Sequence, residues 1–323
     1  LRHPATLRAG PDGSPQVTGV GRDVALRDGG DRRLPSVNGA ASGAATARPA
    51  RSLGDVPEPS GPTVPDGVPS DAVPPERPHE ARWMAESFGA DPARYDRARP
   101  RYPHEALERI VAACPGRDVL DVGTGTGILA RQLVAAGCRV LGVDVDERMA
   151  AFARGTGLTV EVAPFEAWDP VGRLFDAVVA GQTWHWVEPV AGARKAALAL
   201  RSGGRFAALW NAGRPDDELA AAFAAVYRRV VPEVPMFGRV VPAGAGHSRF
   251  SDATAEGLRA SSAFREPERW DVSWERTYTR DEWLASADQR RAALLEGVGA
   301  AIDDAGGSFV VRYTTIVATA ARA

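Results

Sequence analysis

The chain has 323 residues, a formal net charge of −2 at pH 7 and only two cysteines. This charge balance excludes a general basic field that would hold the protein to nucleic acid or to an anionic membrane, so we predict neither as a partner. The cysteines have neither CxxC spacing nor histidines at metal-ligand spacing, and we predict no metal site. No apolar run is long enough for a membrane span and no signal segment is evident, which favours the cytoplasm.

The first quarter of the chain differs in composition from the rest. Residues 1–80 hold about half of the 25 prolines and no Phe, Tyr or Trp. Burial in such a segment would not offset the backbone entropy of ordering it, roughly 1 to 2 kcal/mol per residue. We therefore predict a disordered arm over residues 1–80 and one folded domain over residues 81–323. Because the sequence does not begin with Met, we interpret the arm as an upstream extension, with a functional tail as the alternative.

From residue 81 onward, short β-branched runs alternate with Ala- and Leu-rich helical stretches, which is typical of βαβ units around a parallel sheet. Asp146 is the expected N-cap of one helix and Gly155 its stop, while Gly137 is expected at the end of another. The predicted strands cover 117–122, 139–145, 158–164, 175–181 and 205–211, and the predicted helices cover 127–137, 146–155 and 189–204.

Beyond residue 211 the pattern becomes irregular. A helix is predicted around 216–230, and a Pro- and Gly-rich loop follows over 231–246. A strand at 269–277, a short helix that starts at the Thr279–Glu282 capping box and a strand at 308–319 complete the chain. We expect the last two strands to pair antiparallel. The predicted fold class is α/β, a doubly wound, mostly parallel seven-stranded sheet with one antiparallel edge strand.

The segment LDVGTGTGIL, residues 120–129, joins the first predicted strand to the first predicted helix. A dinucleotide fingerprint requires G-x-G-x-x-G here, but Ile128 stands where the third glycine belongs. Asp121 at the strand end would repel the phosphates of a dinucleotide and attract a cationic ligand. These features disfavour an NAD(P)-dependent oxidoreductase, which stays as the least favoured alternative.

The stretch VLDVGTGTG resembles the first motif of class I S-adenosylmethionine-dependent methyltransferases, in which an acidic residue precedes G-x-G-x-G. The similarity extends from about Trp83 to the end of the chain. It implies a Rossmann-like methyltransferase fold and S-adenosyl-L-methionine as the cofactor. It also implies that Asp121 lies near the methionine ammonium and that the cofactor closely approaches the backbone of Gly123, Thr124, Gly125 and Gly127.

Further positions follow from the same resemblance. Asp144, at the end of the second strand, is placed to accept hydrogen bonds from two ribose hydroxyls, as it would be in either nucleotide fold. Val145 and Met149 match apolar positions against the adenine. Phe165 and Glu166 match the loop that reads the adenine edge, and because Phe165 departs from the usual small or acidic residue, only a backbone contact is expected there. The alternative for Asp121 and Asp144 is a turn acid and a surface acid without a ligand.

The segment Ser87–Pro103 resembles the helix and turn that cover the cofactor in part of this superfamily. Tyr95 and Arg99 are the matching positions, and the forked guanidinium of Arg99 suits the methionine carboxylate. An arginine-rich solvated helix face is the alternative.

The stretch AGQTWHWVEP, residues 180–189, follows the fourth predicted strand and should face the binding crevice. It resembles the HW motif of small-molecule methyltransferases of the trans-aconitate type, within the methyltransferase type 11 group. This resemblance places Gln182 beside the methionine moiety and Trp184, His185 and Trp186 near the transferred methyl group. His185 is the candidate general base, because its ordinary pKa lies near neutrality. Alternatively, it packs and holds the loop.

We therefore predict an enzyme that transfers the methyl group of S-adenosylmethionine to an oxygen or nitrogen of a small-molecule acceptor. A non-catalytic S-adenosylmethionine-binding protein is the alternative, and the oligomeric state stays open. His104 and His247 are predicted to be surface or loop residues. Three aromatic residues lie in the region that usually shapes the acceptor pocket: Phe237, Trp270 and Trp274. We predict that they pack in the core, with the acceptor pocket as the alternative.

Overall fold

The computed structural model describes residues 91–232, 245–286 and 292–323. The predicted arm over residues 1–80, the beginning of the predicted covering helix and Phe237 lie outside these ranges. The domain boundary at residue 81 therefore stays a prediction.

The described chain alternates strands and helices as far as β5 and then becomes less regular. The strands are β1 (Asp118–Val122), β2 (Arg139–Asp144), β3 (Thr159–Val162), β4 (Phe175–Gly181), β5 (Leu200–Arg214), β6 (Glu268–Thr279) and β7 (Ser308–Ala321). The helices are α1 (Pro92–Ala98), α2 (His104–Ala112), α3 (Ile128–Ala135), α4 (Glu147–Gly155), α5 (Pro189–Ala199), α6 (Asp217–Val230), α7 (Ala245–Ser261), α8 (Arg280–Ser286) and α9 (Ala292–Asp304). A 3-10 turn covers Trp184–Trp186. Among the described helices, none is long and apolar enough to cross a bilayer.

The strands form one seven-stranded sheet in the order β3-β2-β1-β4-β5-β7-β6. Strands β1 to β5 pair in parallel, whereas β7 pairs antiparallel with both β5 and β6. The predicted α/β class and the predicted antiparallel pairing of the last two strands are confirmed. The strand that runs against the others is β7, one position inside the edge strand β6.

The apolar core lies on both faces of the sheet, as a parallel sheet covered by helices requires. Alternate residues of β4 point to opposite faces. Val178 and Ala180 pack with Trp184 and Phe206 in one cluster, whereas Val179 belongs to the other. Strand β4 is therefore buried on both faces.

Several local predictions agree with the structure. Asp146 caps α4 by accepting a hydrogen bond from the Arg148 backbone N–H at 2.8 Å, and Gly137 has a φ of 85° after α3. The Thr279–Glu282 capping box is formed in both directions. Gly155, however, is the last residue of helix α4, and Thr156 follows it as the C-cap.

Two elements differ from the predicted ones because tertiary contacts determine them. Strand β5 runs over Leu200–Arg214 instead of 205–211. It is longer at its carboxyl end because residues 205 to 214 pair continuously with β7, and at its amino end Leu200, in the predicted helix 189–204, pairs with Phe175 of β4. Helix α7 begins inside the predicted loop 231–246 and was not predicted. It packs closely on α5, where a Cβ at Gly257 would lie 2.7 Å from the carbonyl oxygen of Pro189.

Candidate active site

A cavity of about 500 Å³ opens at the carboxyl ends of β1, β2, β4 and β5. Its walls also include residues of α1, of the start of α7 and of β7. The cavity is lined by all of the site residues predicted from the sequence except Gly127 and Trp184. The carboxyl end of a parallel sheet is where ligands bind in open α/β folds.

The turn after β1 is held firmly on β2. The backbone N–H groups of Gly123 and Thr124 both donate to the carbonyl oxygen of Val143, at 2.7 and 3.2 Å. Gly123 has a φ of 65°, and a Cβ there would overlap the Thr183 side chain. Gly125 has a φ of 56°, but a Cβ there would meet nothing within 4 Å, so this glycine leaves the cavity open.

Asp121 lies at the end of β1 beneath this turn and is only 1% exposed. Its Oδ2 accepts a hydrogen bond from Thr124 Oγ1 at 2.7 Å, whereas its buried Oδ1 has no hydrogen-bond partner within the described part of the chain. Burial raises the pKa of this carboxyl to about 7, and the neighbouring Asp144 adds to the increase. An unpaired buried oxygen is costly, so a ligand that donates to it would be stabilising.

Asp144 ends β2 on the opposite side of the turn. Its Oδ2 accepts from the Gly125 N–H at 2.7 Å and its Oδ1 accepts from the Asp146 N–H at 2.9 Å. Burial raises the pKa of this carboxyl as well. Each oxygen keeps capacity for a further donor. Val145 and Met149 line the cavity next to it, Val145 exposed and Met149 buried.

Phe165 and Glu166 both line the cavity beyond β3. The Phe165 ring is buried and packs against Trp168 and Trp184, with centroid separations of 6.4 and 5.9 Å. Because that side chain is engaged in the core, the expectation of a backbone contact alone is compatible with its position.

Gly127 serves the fold and does not line the cavity. It has a φ of 85° at the start of α3, its N–H donates to the Thr124 carbonyl at 2.8 Å, and a Cβ there would overlap Leu158. The expectation that Gly127 allows close approach of the ligand is therefore wrong. Glycine is required at position 127 by the positive φ at the start of the helix and by the close packing of Leu158.

Helix α1 lies over the cavity and contributes Tyr95 and Arg99. The Arg99 guanidinium carbon is 4.9 Å from the centroid of the Tyr95 ring, a cation–π contact. Asp96 on the same helix pairs with Arg131 of α3, which ties α1 to the helix that follows the glycine turn. Tyr95 and Arg99 both line the cavity, and their role at the ligand stays a prediction.

The 3-10 turn after β4 separates its two tryptophans. Trp184 is 2% exposed and packs edge-on against Phe206 at 4.5 Å, so the expectation that it lies near the transferred methyl is wrong. Trp186 lines the cavity. Gln182 also lines it, with a φ of 59° and a hydrogen bond from its Nε2 to the Asn211 carbonyl at 3.3 Å.

His185 sits in the middle of that turn and is held on two sides. Its Nδ1 accepts a hydrogen bond from the indole Nε1–H of Trp210 at 3.2 Å. Its ring stacks on Phe250, with centroids 4.4 Å apart and planes 13° apart. Burial, together with the nearby His247 and Arg249, lowers the pKa of the imidazole to about 3.

Several cavity residues were not predicted because they come from distant parts of the chain: Tyr102, Asn211, His247, Phe250 and Tyr313. The placement of His247 on a surface or loop is wrong, since it belongs to the start of α7 and faces the cavity. His104 is exposed as predicted and pairs with Glu108. Tyr102 lies within the predicted covering segment Ser87–Pro103, whereas the motifs gave no signal for the other four.

The two tryptophans of β6 do not line the cavity, in agreement with the expectation of core packing. Trp270 lies beside the guanidinium groups of Arg109 and Arg205, at 4.0 and 5.4 Å. Trp274 stacks on Tyr313, which lines the cavity, at 4.3 Å. Trp274 therefore supports the wall from behind.

A chain of hydrogen bonds fixes Asn211 in the wall formed by β5. Trp274 Nε1 donates to Thr315 Oγ1 at 2.9 Å, and Thr315 Oγ1 donates to Asn211 Oδ1 at 2.6 Å. Asn211 Nδ2 then donates to the Arg101 carbonyl at 3.2 Å. The relay connects β6, β7 and β5 to the segment that leads from α1 to α2.

Residues 119–204 match a family described as a methyltransferase domain. An uncharacterized methyltransferase of Mycobacterium tuberculosis (strain ATCC 25618 / H37Rv) is 39% identical over 137 residues, which cover 40% of this chain and 54% of that protein. The chain thus spans about half the length of the curated relatives it matches. A ribosomal protein L11 methyltransferase of Caldicellulosiruptor bescii is 41% identical over 83 residues, covering 24% of this chain and 26% of that one.

A solved structure extends the similarity beyond the matched family segment. A candidate type II methyltransferase of Anaeromyxobacter dehalogenans is 26% identical, has a TM-score of 0.50, and covers 68% of this chain and 97% of its own. That span includes far more of the chain than residues 119–204.

Proposed function

We propose that this chain carries a class I S-adenosylmethionine-dependent methyltransferase domain and transfers the cofactor's methyl group to an oxygen or nitrogen of a small molecule. The match of residues 119–204 to a methyltransferase domain and the similarity to a solved methyltransferase structure support this proposal. The buried carboxyl of Asp121, whose Oδ1 lacks a partner within the described ranges, carries this proposal. A cationic ammonium would satisfy that oxygen, whereas a diphosphate would add a second negative charge beside it.

The residues around the glycine turn fit the cofactor. Asp121 would hold the methionine ammonium, Arg99 the methionine carboxylate and Asp144 the ribose hydroxyls. The remaining proposed cofactor contacts are Tyr95, Gly123, Thr124, Gly125, Val145, Met149, Phe165, Glu166 and Gln182, all of which line the cavity. The open space beyond Gly125 supports a close approach of the cofactor to the backbone at that residue.

When bound, S-adenosylmethionine supplies a methyl group on a positively charged sulfur. The contribution of the chain is to align the acceptor with that methyl group and to exclude water, which can provide several kcal/mol of the barrier reduction. We assign the acceptor end of the cavity to His185, Trp186, Phe250 and Tyr313, which line it together with Asn211. Flat apolar side chains there would hold an acceptor by its faces and leave its reactive atom free.

The size of the cavity supports a small acceptor. About 500 Å³ lies in the range of small-molecule sites, roughly 300 to 1,000 Å³. Aromatic side chains with a few convergent polar groups are the usual lining of such sites.

The test combines the protein, a small-metabolite extract and S-adenosylmethionine with an isotopically labelled methyl group. Mass spectrometry should detect the label in a compound of the small-molecule fraction. Label confined to added protein or nucleic acid would contradict the small-molecule acceptor. No label in any fraction, with S-adenosylhomocysteine still bound in calorimetry, would identify a non-catalytic binding protein instead.

A further inference from the structure

We propose that His185 binds the methyl acceptor as a neutral imidazole that donates its Nε2–H, and that it does not remove a proton from the acceptor. The inference deepens the proposed function and rests on it for the identity of the bound molecule. It assigns His185 a specificity role: the acceptor must present a hydrogen-bond-accepting oxygen or nitrogen beside the atom that is methylated.

The tautomer of His185 follows from its neighbour Trp210. An indole nitrogen can only donate a hydrogen bond, so the Nδ1 that receives the Trp210 Nε1–H must be unprotonated. A neutral imidazole carries its single proton on the other nitrogen, which is Nε2. Trp210 is fully buried, and its indole N–H would lose its partner if the histidine changed tautomer or turned away.

The surroundings of the ring oppose a positive charge. His247 and Arg249, both from α7, are the ionisable groups that act on it, and each disfavours the imidazolium form. Phe250 stacks on one face, and Trp186 contacts the ring at a centroid distance of 4.7 Å. A general base must become an imidazolium during the reaction, and this environment does not stabilise one.

The Nε2 atom is left for the ligand. His185 lines the cavity and makes its one side-chain hydrogen bond, among the residues that the structure describes, through Nδ1. Because the ring is part of the cavity wall, Nε2 is the ring nitrogen that remains to meet a ligand. A donor of fixed direction at the acceptor end can orient a ligand and select for an accepting group.

The transfer is balanced without a proton on His185. The lone pair of the acceptor atom forms the new bond to the methyl carbon, and the electron pair of the broken carbon–sulfur bond returns to sulfur. An acceptor atom with a free lone pair at neutral pH therefore needs no base. If the acceptor atom carries a proton, that proton leaves to water.

The tautomer is measured directly by nitrogen-15 NMR of the full chain with labelled histidine, without any acceptor. We expect the Nε2–H form of His185 from about pH 5 to pH 8. In Trp210→Phe, which lacks the indole N–H, we expect a mixture of both tautomers. Trp184→Phe is the matched control, because it makes the same change in a buried tryptophan that does not touch His185 through its N–H, and it should keep the Nε2–H form.

Turnover separates donation from base catalysis. His185→Gln keeps an N–H donor but cannot accept a proton as a base, whereas His185→Ala has neither property. With labelled S-adenosylmethionine and the small-metabolite extract, loss of a donor should slow label transfer about tenfold in His185→Ala. His185→Gln should stay within about threefold of the wild type. A base would make both variants slower by roughly 10² to 10⁴.

Two results would overturn the inference: an Nδ1–H or charged His185 near neutral pH, or equal loss of turnover in both variants while calorimetry shows unchanged S-adenosylhomocysteine binding. Failure of the wild type to transfer label, with the Nε2–H tautomer intact, would count against the proposed function and against an acceptor role of His185. NMR therefore tests the tautomer of His185 by itself, and turnover tests its role toward the acceptor.

Discussion

In the proposed function, ligand choice depends most strongly on the carboxyl of Asp121. We expect Asp121→Asn to weaken S-adenosylhomocysteine binding about tenfold or more, because a hydrogen bond to a charged group contributes about 1.5 to 3 kcal/mol. Calorimetry at about pH 8 measures the loss. Asp118→Asn is the control, since Asp118 lies at the other end of the same strand and pairs with Arg139 and Arg201 outside the cavity. Equal affinity of Asp121→Asn and wild type would contradict the assigned role.

The same carboxyl makes cofactor binding depend on pH. Its pKa in the folded, ligand-free protein is raised to about 7, chiefly by burial and further by Asp144. A cationic ammonium favours the ionised form, so binding below about pH 7 must release a proton. Affinity should therefore fall as the pH is lowered from about 8 to about 6, and Asp121→Asn should flatten this dependence. Calorimetry in two buffers of different ionisation enthalpy detects the released proton, and its absence would contradict the assignment.

At the scale of single residues, the sequence pattern predicted those cavity residues that lie together on one short segment of the chain. The carboxylate and the two glycines at 121, 123 and 125 lie within one strand and turn, so their positions follow from local geometry. Trp184 and Trp186 show the limit. Only one of two tryptophans in a three-residue turn faces the cavity, and core packing against Phe206 decides which one.

The turn between β1 and α3 is the element that we propose the cofactor approaches closely. We expect Gly125→Ala to cost about 1 kcal/mol of stability, because an L residue is strained at a φ of 56°. We also expect it to weaken S-adenosylhomocysteine binding by about tenfold or more, equivalent to about 1.4 kcal/mol, since the methyl group would enter the open space of the cavity.

Gly137→Ala is the matched control for that variant. Gly137 also has a positive φ and open space around a Cβ, but it lies beyond α3 and does not line the cavity. Denaturant unfolding should show a similar loss of stability in the two variants, and calorimetry should show a loss of affinity only in Gly125→Ala. Equal affinities would mean that the ligand does not approach the turn.

The relay across β6, β7 and β5 predicts a stability effect. Thr315 is fully buried and joins Trp274 Nε1 to Asn211 Oδ1. Thr315→Val leaves both groups without that partner, and we expect a loss of about 1 to 3 kcal/mol in the free energy of unfolding. Urea denaturation measures it. Thr314→Val, at a half-buried neighbour on the same strand, should change stability by less than about 0.5 kcal/mol; equal effects would show that the relay contributes nothing.

Element boundaries were predictable where periodicity and caps decide them, and less so where pairing decides them. The bounds of β4 agree with the sequence pattern because the strand is buried and flanked by polar or turn residues. Strand β5 is longer than its apolar run because β7 supplies a partner along its whole second half. Helix α7 buries Ser251 and Thr254 together with Leu258, so its inward face is largely polar in sequence and gives little apolar pattern. Its contact with Pro189 of α5 is invisible to a local pattern.

For the whole molecule, the sheet order explains why one cavity collects residues from so many parts of the chain. Strands β1 and β4 are neighbours, so the glycine turn and the Trp184–Trp186 turn meet at one edge. Strand β7, inserted next to β5, brings Tyr313 to the same end. The cofactor half of the site was therefore predictable from motifs, whereas the acceptor half depends on α7 and β7, which only the tertiary structure places there.

Calorimetry of the full chain with S-adenosylhomocysteine and, separately, with NAD tests the central claim most directly. We expect one S-adenosylhomocysteine bound per chain, weaker binding in Asp121→Asn, and no measurable binding of NAD. Binding of NAD as tight as that of S-adenosylhomocysteine, or no binding of S-adenosylhomocysteine by the folded protein, would contradict it.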